Sequence, residues 1–481
     1  MIENLNQIFK NIEKIHDETK KKKTRNVKLS LYDALLYQFN YSNIYKTKQQ
    51  IVSDFNFENE KFTIHRSSMY RKEENITVDF YKKIFIKIKE LYEKKYKNKK
   101  IYNEVDKILN QNYIDLSKIR EKYNIYAIDG TNNNKITEHK LISKLNMCIF
   151  DCNGMIPIDM FSSENKKFKN NKNNLSDKNN EVNQFMKFIE TNNIKNSIFV
   201  GDRAYFKYEL FNLLEENKLK YVIRIKNNSK IINDKYFPNK KDKNYKYIVK
   251  LKENPSVKII KYEIENVKQI KNKKNESNKV KIKNNYYLIT NLGDKNLLDE
   301  EIKKIYNARW NIEVFFKLLK KNFKFSYMKE KNESQNTKLK FISLIMTYIT
   351  KIIVYQGLEK NYKKIDKNIR KRNREKKEIN IKINNSNLIS GIYDKLLKKI
   401  LTGNLDEITL NKYIKTYIII CKNEKGRNYV RKSLLPFSKW YVKMYHNIYE
   451  YEKIVNALEM NKIEELNKNL KSKSKRIKVK K

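Results

Sequence analysis

The spacing of apolar residues changes character once along the chain, near residue 120. Up to about residue 115, apolar side chains recur three and four positions apart, as in LYDALLYQF (31–39) and FYKKIFIKIKELYEKKY (80–96), the period of helices buried along one stripe. Between these runs lies FTIHRSSMYRKEENIT, a polar and basic connection. It fits the link in a small helical DNA-binding unit, and equally well an ordinary helical bundle.

Beyond residue 120 the runs are short and apolar. IYAID (125–129) predicts a strand, and KLNMCIFD (144–151), then Cys152-Asn153-Gly154, then MIPIDMF (155–161) predicts a hairpin closed by an Asn-Gly turn. After a Lys/Asn-rich loop (165–180) come an amphipathic helix (EVNQFMKFIETNN), a buried strand (SIFVGD, 197–202), a helix (FKYELFNLLEEN) and a strand (KYVIRIK, 220–226). Residues 227–285 hold strand-like pieces, YKYIVKLKE and SVKIIKYEIE, between Lys/Asn-rich turns, and read as an inserted β-rich subdomain. YYLITNL (286–292) returns to the core, and one helix runs from about Asp299 to Lys321. Past residue 330 the pattern is helical, with a solvated charged loop at 361–386. Three antiparallel strands followed by alternating helix and strand is the order of an RNase H-like α/β core. The expected division is a helical DNA-binding region over 1–115, the core over 120–330, and a helical C-terminal region over 331–481 ending in the basic tail KSKSKRIKVKK.

Composition narrows the class. Hydrophobic residues at 40% and aromatics at 12% are enough for a packed core across 481 residues, so a disordered polymer is excluded. Lys and Arg number 106 against 55 Asp and Glu, a formal charge of +51 that calls for a polyanionic partner, nucleic acid above all. Part of that excess accompanies abundant Asn, Ile and Tyr, residues with A/T-rich codons. The longest apolar stretch, Phe341 to Leu358, is interrupted by Lys351 and Gln356 and falls short of the ~20 residues that span a bilayer, so it reads as a buried helix. The start, MIENLNQIFKNIEK, has no signal-peptide core. Cys148, Cys152 and Cys421, with His16, His65, His139 and His446, have no zinc-like spacing, and reduced structural cysteines in a cytoplasmic, DNA-associated protein are expected; a nuclear place would suit a eukaryotic host.

Two acids stand at the ends of buried strands, Asp129 in YAIDGT and Asp202 in FVGDRAY. Adjacent parallel strands would bring both to one sheet edge, although a strand-end Asp also caps turns and helices. In YNARWNIEVFFKLLK, about 100° per residue places Tyr306, Arg309, Glu313 and Lys320 within an arc of roughly 60°, with Ile305, Ile312, Phe316 and Leu319 on the neighbouring stripe. The same stripe also fits a solvated face on which Glu313 pairs with Arg309 or Lys317.

Asp129-Gly130-Thr131, Gly201-Asp202-Arg203 and the run Tyr306-x2-Arg309-x3-Glu313-x6-Lys320 together resemble the three conserved regions of bacterial insertion-sequence DDE transposases, those of the IS-four-like type with a Tyr-Arg-Glu-Lys signature. The resemblance covers roughly residues 120–350. It implies an RNase H-like fold, and Asp129, Asp202 and Glu313 as catalytic ligands of two Mg²⁺ or Mn²⁺ ions. It implies cleavage of double-stranded DNA at transposon ends and joining of the freed 3′-OH ends to target DNA, carried out by a homodimer on DNA. Tyr306, Arg309 and Lys320 would contact phosphates, Arg224 would be a further DNA contact, and Tyr287, just before Leu288-Ile289-Thr290, would stack on a flipped base. Arg224 also fits a surface strand charge, and Tyr287 a core aromatic. Two rival functions stay open at this stage: a metal-dependent nuclease that joins no strands, and a non-catalytic, domesticated DNA-binding protein.

Overall fold

The computed structural model describes, apart from a few single positions, residues 1–19, 29–43, 46–58, 63–96, 116–137, 140–165, 181–232, 245–271, 277–293, 297–323, 333–373, 382–417 and 420–421. The Lys/Asn-rich loop at 166–180 and the tail KSKSKRIKVKK lie outside them. The chain divides into one compact unit over Met1–Asn134, Ser143–Lys167 and Asn171–Asn423, and a second over Lys135–Ile142, Phe168–Asn170 and Glu424–Lys481. Of the second, only the ends of two strands are described, and the following concerns the first.

Six helices open it: α1 (Ile2–Lys10), α2 (Ile12–Thr19), α3 (Leu31–Ser42), α4 (Lys48–Glu58), α5 (Arg66–Asn75) and α6 (Val78–Tyr96). The polar connection FTIHRSSMYRKEENIT is itself mostly the helix α5, started by His65, whose side chain accepts from the Ser67 N–H. Ser30 and Asp33 close a reciprocal capping box on α3, which is why that helix starts where it does.

The sheet has seven strands in the order β3-β2-β1-β4-β5-β7-β6: β1 (Asn124–Thr137), β2 (Lys140–Asp151), β3 (Ile156–Asn165), β4 (Ser197–Gly201), β5 (Lys220–Ile225), β6 (Lys258–Lys271) and β7 (Ser277–Thr290). β1 runs parallel to β4, and β4 to β5. β2 and β3 form the expected antiparallel hairpin, and β7 lies antiparallel to β5 and β6. Period-two alternation splits the strands between two cores. Ile128, Phe199, Tyr221, Ile223 and Ile289 face a cluster with α7 (Glu181–Thr191) and α8 (Tyr208–Glu216). Ile125, Ala127, Ile198, Val200, Val222 and Leu288 face the larger core, which holds α10 (Asp299–Ala308), α11 (Trp310–Asn322), α12 (Glu333–Asn373) and the amino-terminal helices.

Three elements differ from the sequence reading. YKYIVKLKE is not a strand but the helix α9 (Tyr245–Glu253), because its buried positions Ile248 and Leu251 sit three apart and pack on one side. The rest of the expected β-rich insertion is the long β6–β7 hairpin, which continues the main sheet rather than standing apart from it. The charged stretch after residue 360 is helical as far as Asn373; Lys, Arg and Glu are good helix formers that need no burial. Ile342, Ile345, Met346, Ile349, Ile352 and Ile353 make the middle of α12 the buried helix expected there. No helix among the described residues is long and apolar enough to cross a membrane.

Candidate active site

Asp129 follows Ile125 and Ala127 in the alternation of β1, and so turns toward α11. Its Oδ1 accepts from the Gly130 N–H at 2.8 Å. On the parallel neighbour β4, Asp202 stands one residue past the strand, and its Oδ1 accepts from the Ala204 N–H at 2.7 Å, capping a short turn at Arg203–Tyr205. The chain folds back so tightly there that a Cβ on Gly201 would meet the Tyr205 Cβ at 3.0 Å.

The helix expected from Asp299 to Lys321 is broken at Arg309, between α10 and α11. The Ile312 N–H bonds to the Arg309 carbonyl, three residues back, at 3.1 Å. The regular helical bond would go to Ala308; that carbonyl instead accepts from the Cys152 thiol at 3.5 Å. The break lets the Arg309 side chain span the two acids of the site. Its Nη1 donates to Asp129 Oδ2 at 3.1 Å, and its Nη2 to Glu313 Oε1 at 2.7 Å.

The acids are held in a poorly solvated edge. Burial pushes the Asp129 carboxyl up to about 6, with repulsion from Asp202 and Glu313 adding to it and Arg309 and the Gly130 N–H opposing. A further acid, unnoticed in the sequence, joins them. Glu181 opens α7 on the other side of the β1 end, and its carboxyl is pushed up to about 7 by burial and by the charges of Asp129 and Asp202. An ideal Cβ at Gly130 would lie 1.9 Å from Glu181 Oε2, so only glycine leaves room for that carboxylate. Its one sequence signal is an acid in the first turn of a helix, which ordinarily marks no more than a favourable helix terminus.

The other expected residues divide by face. Tyr306 is buried in the last turn of α10, with the Arg309 guanidinium 5.9 Å from its ring centre. Lys320 is half-buried two turns beyond Glu313 on α11. Arg224 follows Val222 to the same side of the sheet and lies 4.3 Å over the Tyr286 ring, which stacks on Tyr262 at 5.6 Å. Tyr287 points the opposite way and packs against the α7–α8 cluster. Thus Asp129, Asp202, Arg309, Glu313, Tyr306 and Arg224 share one face, and Tyr287 does not. The Tyr262–Tyr286 stack was missed, because the doublet Tyr286-Tyr287 does not reveal which ring faces which way until its register with β6 is known.

Among the described residues, no three His, Cys, Asp or Glu side chains already stand close enough together to share one metal ion. The donor chemistry nevertheless suits a hard divalent cation: Asp129 and Glu313 converge on a common cation, Arg309, and Asp202 and Glu181 add further carboxylate oxygens beside them.

Residues 174–349 match a family model described as "Transposase DDE domain". Among solved structures, a piggyBac transposase synaptic complex with hairpin DNA aligns over 90% of this chain and 88% of its own, at 12% identity and a TM-score of 0.36, a likeness too slight to decide fold or function. No curated protein matches. The matched segment contains Asp202, Glu313 and the Arg309 that joins Glu313 to Asp129, and the chain is a DDE transposase, an enzyme of DNA transposition.

Proposed function

We propose that Asp129, Asp202 and Glu313 are the catalytic triad of an RNase H-like core, and that the enzyme cuts DNA at transposon ends and joins the freed ends to target DNA. The observation that carries this reading is the placement of Asp129 and Asp202 at the same end of parallel neighbours β1 and β4, with Glu313 brought to Asp129 through Arg309. The strand order and directions over β1 to β5 agree with an RNase H-like core, and the Tyr306-Arg309-Glu313-Lys320 spacing supports the insertion-sequence type.

The triad would hold two Mg²⁺ or Mn²⁺ ions, which when bound supply charge stabilisation at both the attacking and the leaving oxygen. The protein's own contribution is position and charge. Arg309 and Lys320 grip phosphate oxygens, the arginine in bidentate fashion, and the Tyr306 hydroxyl donates to a phosphate beside the scissile bond. Water attacks at the transposon end first, and the liberated 3′-OH then attacks target DNA; one site serves both because only the nucleophile changes. Arg224 with Tyr286 and Tyr262 forms a cation and ring surface on the triad's side of the sheet, suited to unstacked bases. Tyr287 would reach a base only from the other face. The helices before residue 115 would bind DNA ends, and the helical C-terminal region would pair two copies on DNA.

The test is cleavage of labelled DNA carrying the element's own ends, in Mg²⁺ or EDTA, by the wild type and by Asp129→Asn, Asp202→Asn and Glu313→Gln. Metal-dependent cutting and joining of pre-cleaved ends by the wild type, lost in all three variants while DNA binding persists, is the expected result. Wild-type protein that cuts without joining would be a nuclease, and protein that binds without cutting would be a non-catalytic DNA-binding protein.

A further inference from the structure

Asp129 and Glu181 approach the end of β1 from opposite sides, and the only residue between them is Gly130. A methyl group there would fall 1.9 Å from Glu181 Oε2 and 3.1 Å from its Cδ, so the carboxylate lies directly on the glycine backbone. It is fixed there from behind. Glu181 is the first residue of α7, and Val182, Phe185, Phe188 and Ile189 of that helix are buried against the sheet. A first-turn position leaves its side chain at the helix end, where it can face the strand terminus instead of the core.

Cations are scarce for these acids. Arg309 bridges Asp129 and Glu313, and no hydrogen bond or ion pair from the described residues reaches the Glu181 carboxylate, which feels Asp129 and Asp202 instead. Several carboxylates facing a single guanidinium in a half-buried edge repel one another unless a further cation is present. A surface glutamate would turn to water, but this one is held inward by the packing of α7.

We propose that Glu181 is a fourth carboxylate ligand of the divalent-metal centre, completing it on the α7 side where Gly130 opens the way. The proposal rests on the reading of Asp129, Asp202 and Glu313 as metal ligands, and it adds a residue from an element outside the recognised motifs. A hard cation prefers oxygen donors, and a fourth carboxylate tightens ion binding without taking part in bond making or breaking. Losing it should therefore weaken metal affinity more than the turnover rate at saturating metal.

The experiment is titration of the full-length protein with Mn²⁺, following the free-ion electron paramagnetic resonance signal, for the wild type, Glu181→Gln, Gly130→Ala and Asp129→Asn. Folding is checked by circular dichroism in EDTA. Cleavage is then measured against Mg²⁺ concentration. The expected result is that Glu181→Gln weakens at least one Mn²⁺ site about tenfold and raises the Mg²⁺ concentration for half-maximal cleavage, while the saturated rate falls much less. Gly130→Ala, which displaces the same carboxylate, should do likewise, and it carries the test if Glu181→Gln does not fold. Wild-type affinity and metal dependence in both folded variants, with binding lost in Asp129→Asn, would overturn this proposal and leave the triad standing. Equal Mn²⁺ binding by the wild type and Asp129→Asn would overturn the triad reading itself.

Discussion

Replacing Arg309 with Met tests whether that guanidinium is the counter-charge of the site. Methionine keeps an unbranched apolar stem, so the change removes mainly the charge and its two hydrogen bonds, to Asp129 Oδ2 and Glu313 Oε1. Taking one partner from a fully buried pair costs about 3–5 kcal/mol. Here the side chains retain 13% exposure for Arg309, 19% for Asp129 and 29% for Glu313, and partial solvent screening reduces the expectation to about 2–3 kcal/mol. The pH dependence has a definite sign. Arg309 lowers a carboxyl that burial otherwise raises to about 6, so its stabilisation is present where Asp129 is ionised and is lost as pH falls through that value. In EDTA, the melting temperature of Arg309→Met should fall several degrees below wild type at pH 8, and the gap should close by pH 4–5. Mg²⁺ should narrow the gap at pH 8, since a divalent ion supplies the missing positive charge. A gap equal at both pH values, or unmoved by Mg²⁺, would show that Arg309 matters for packing and not as the counter-charge.

Three other outcomes follow from separate parts of the structure. Asp129→Asn should stabilise the metal-free protein at pH 8: its folded carboxyl is raised to about 6 from an ordinary 3.8, so its ionisation opposes folding above that window, and the gain should vanish below about pH 4 in thermal melts. Gly357→Ala should destabilise by about 1–3 kcal/mol in denaturant titration, because its Cβ would sit 2.1 Å from Cδ1 and 2.6 Å from Cγ1 of Ile414 in a helix of the core; a neutral result would contradict that packing. Lys338, buried with its ammonium donating to the Glu73 carbonyl at 2.9 Å, is lowered to about 8 mainly by burial. The unfolded chain then holds more protons between pH 8 and 10.5, so the stability of wild type relative to Lys338→Met should rise across that range, and a flat difference would refute the assignment.

Much of the site could be read from the sequence because its parts obey local rules. β1 and β4 are apolar runs ended by an acid, which is how a buried parallel strand meets its edge, and the α11 stripe follows from helical geometry alone. What stayed hidden depends on pairing between distant segments. The break at Arg309 has no glycine or proline to announce it; it coincides with a thiol from the β2–β3 connection and a carboxylate from β1. The side of Tyr286 and Tyr287 is settled only by register, Tyr286 opposite Tyr262 and Tyr287 opposite both Lys261 and Ile225.

Glu181 shows the same division most sharply. Its residue type and place, an acid at the start of an amphipathic helix, are among the commonest patterns in proteins and signal nothing by themselves. Gly130 is equally ordinary, the residue after a strand-end Asp, and as part of the Asp129-Gly130-Thr131 motif it would be assigned to turn formation. Only when α7 packs against the sheet do the two features explain each other: the glycine is bare because a carboxylate rests on it, and the carboxylate faces inward because the helix behind it is anchored by Val182, Phe185, Phe188 and Ile189. A motif records residues that must be of one type for chemistry. A residue that completes the site from another element is found from the space it requires of its neighbour, and here that space is the missing Cβ of Gly130.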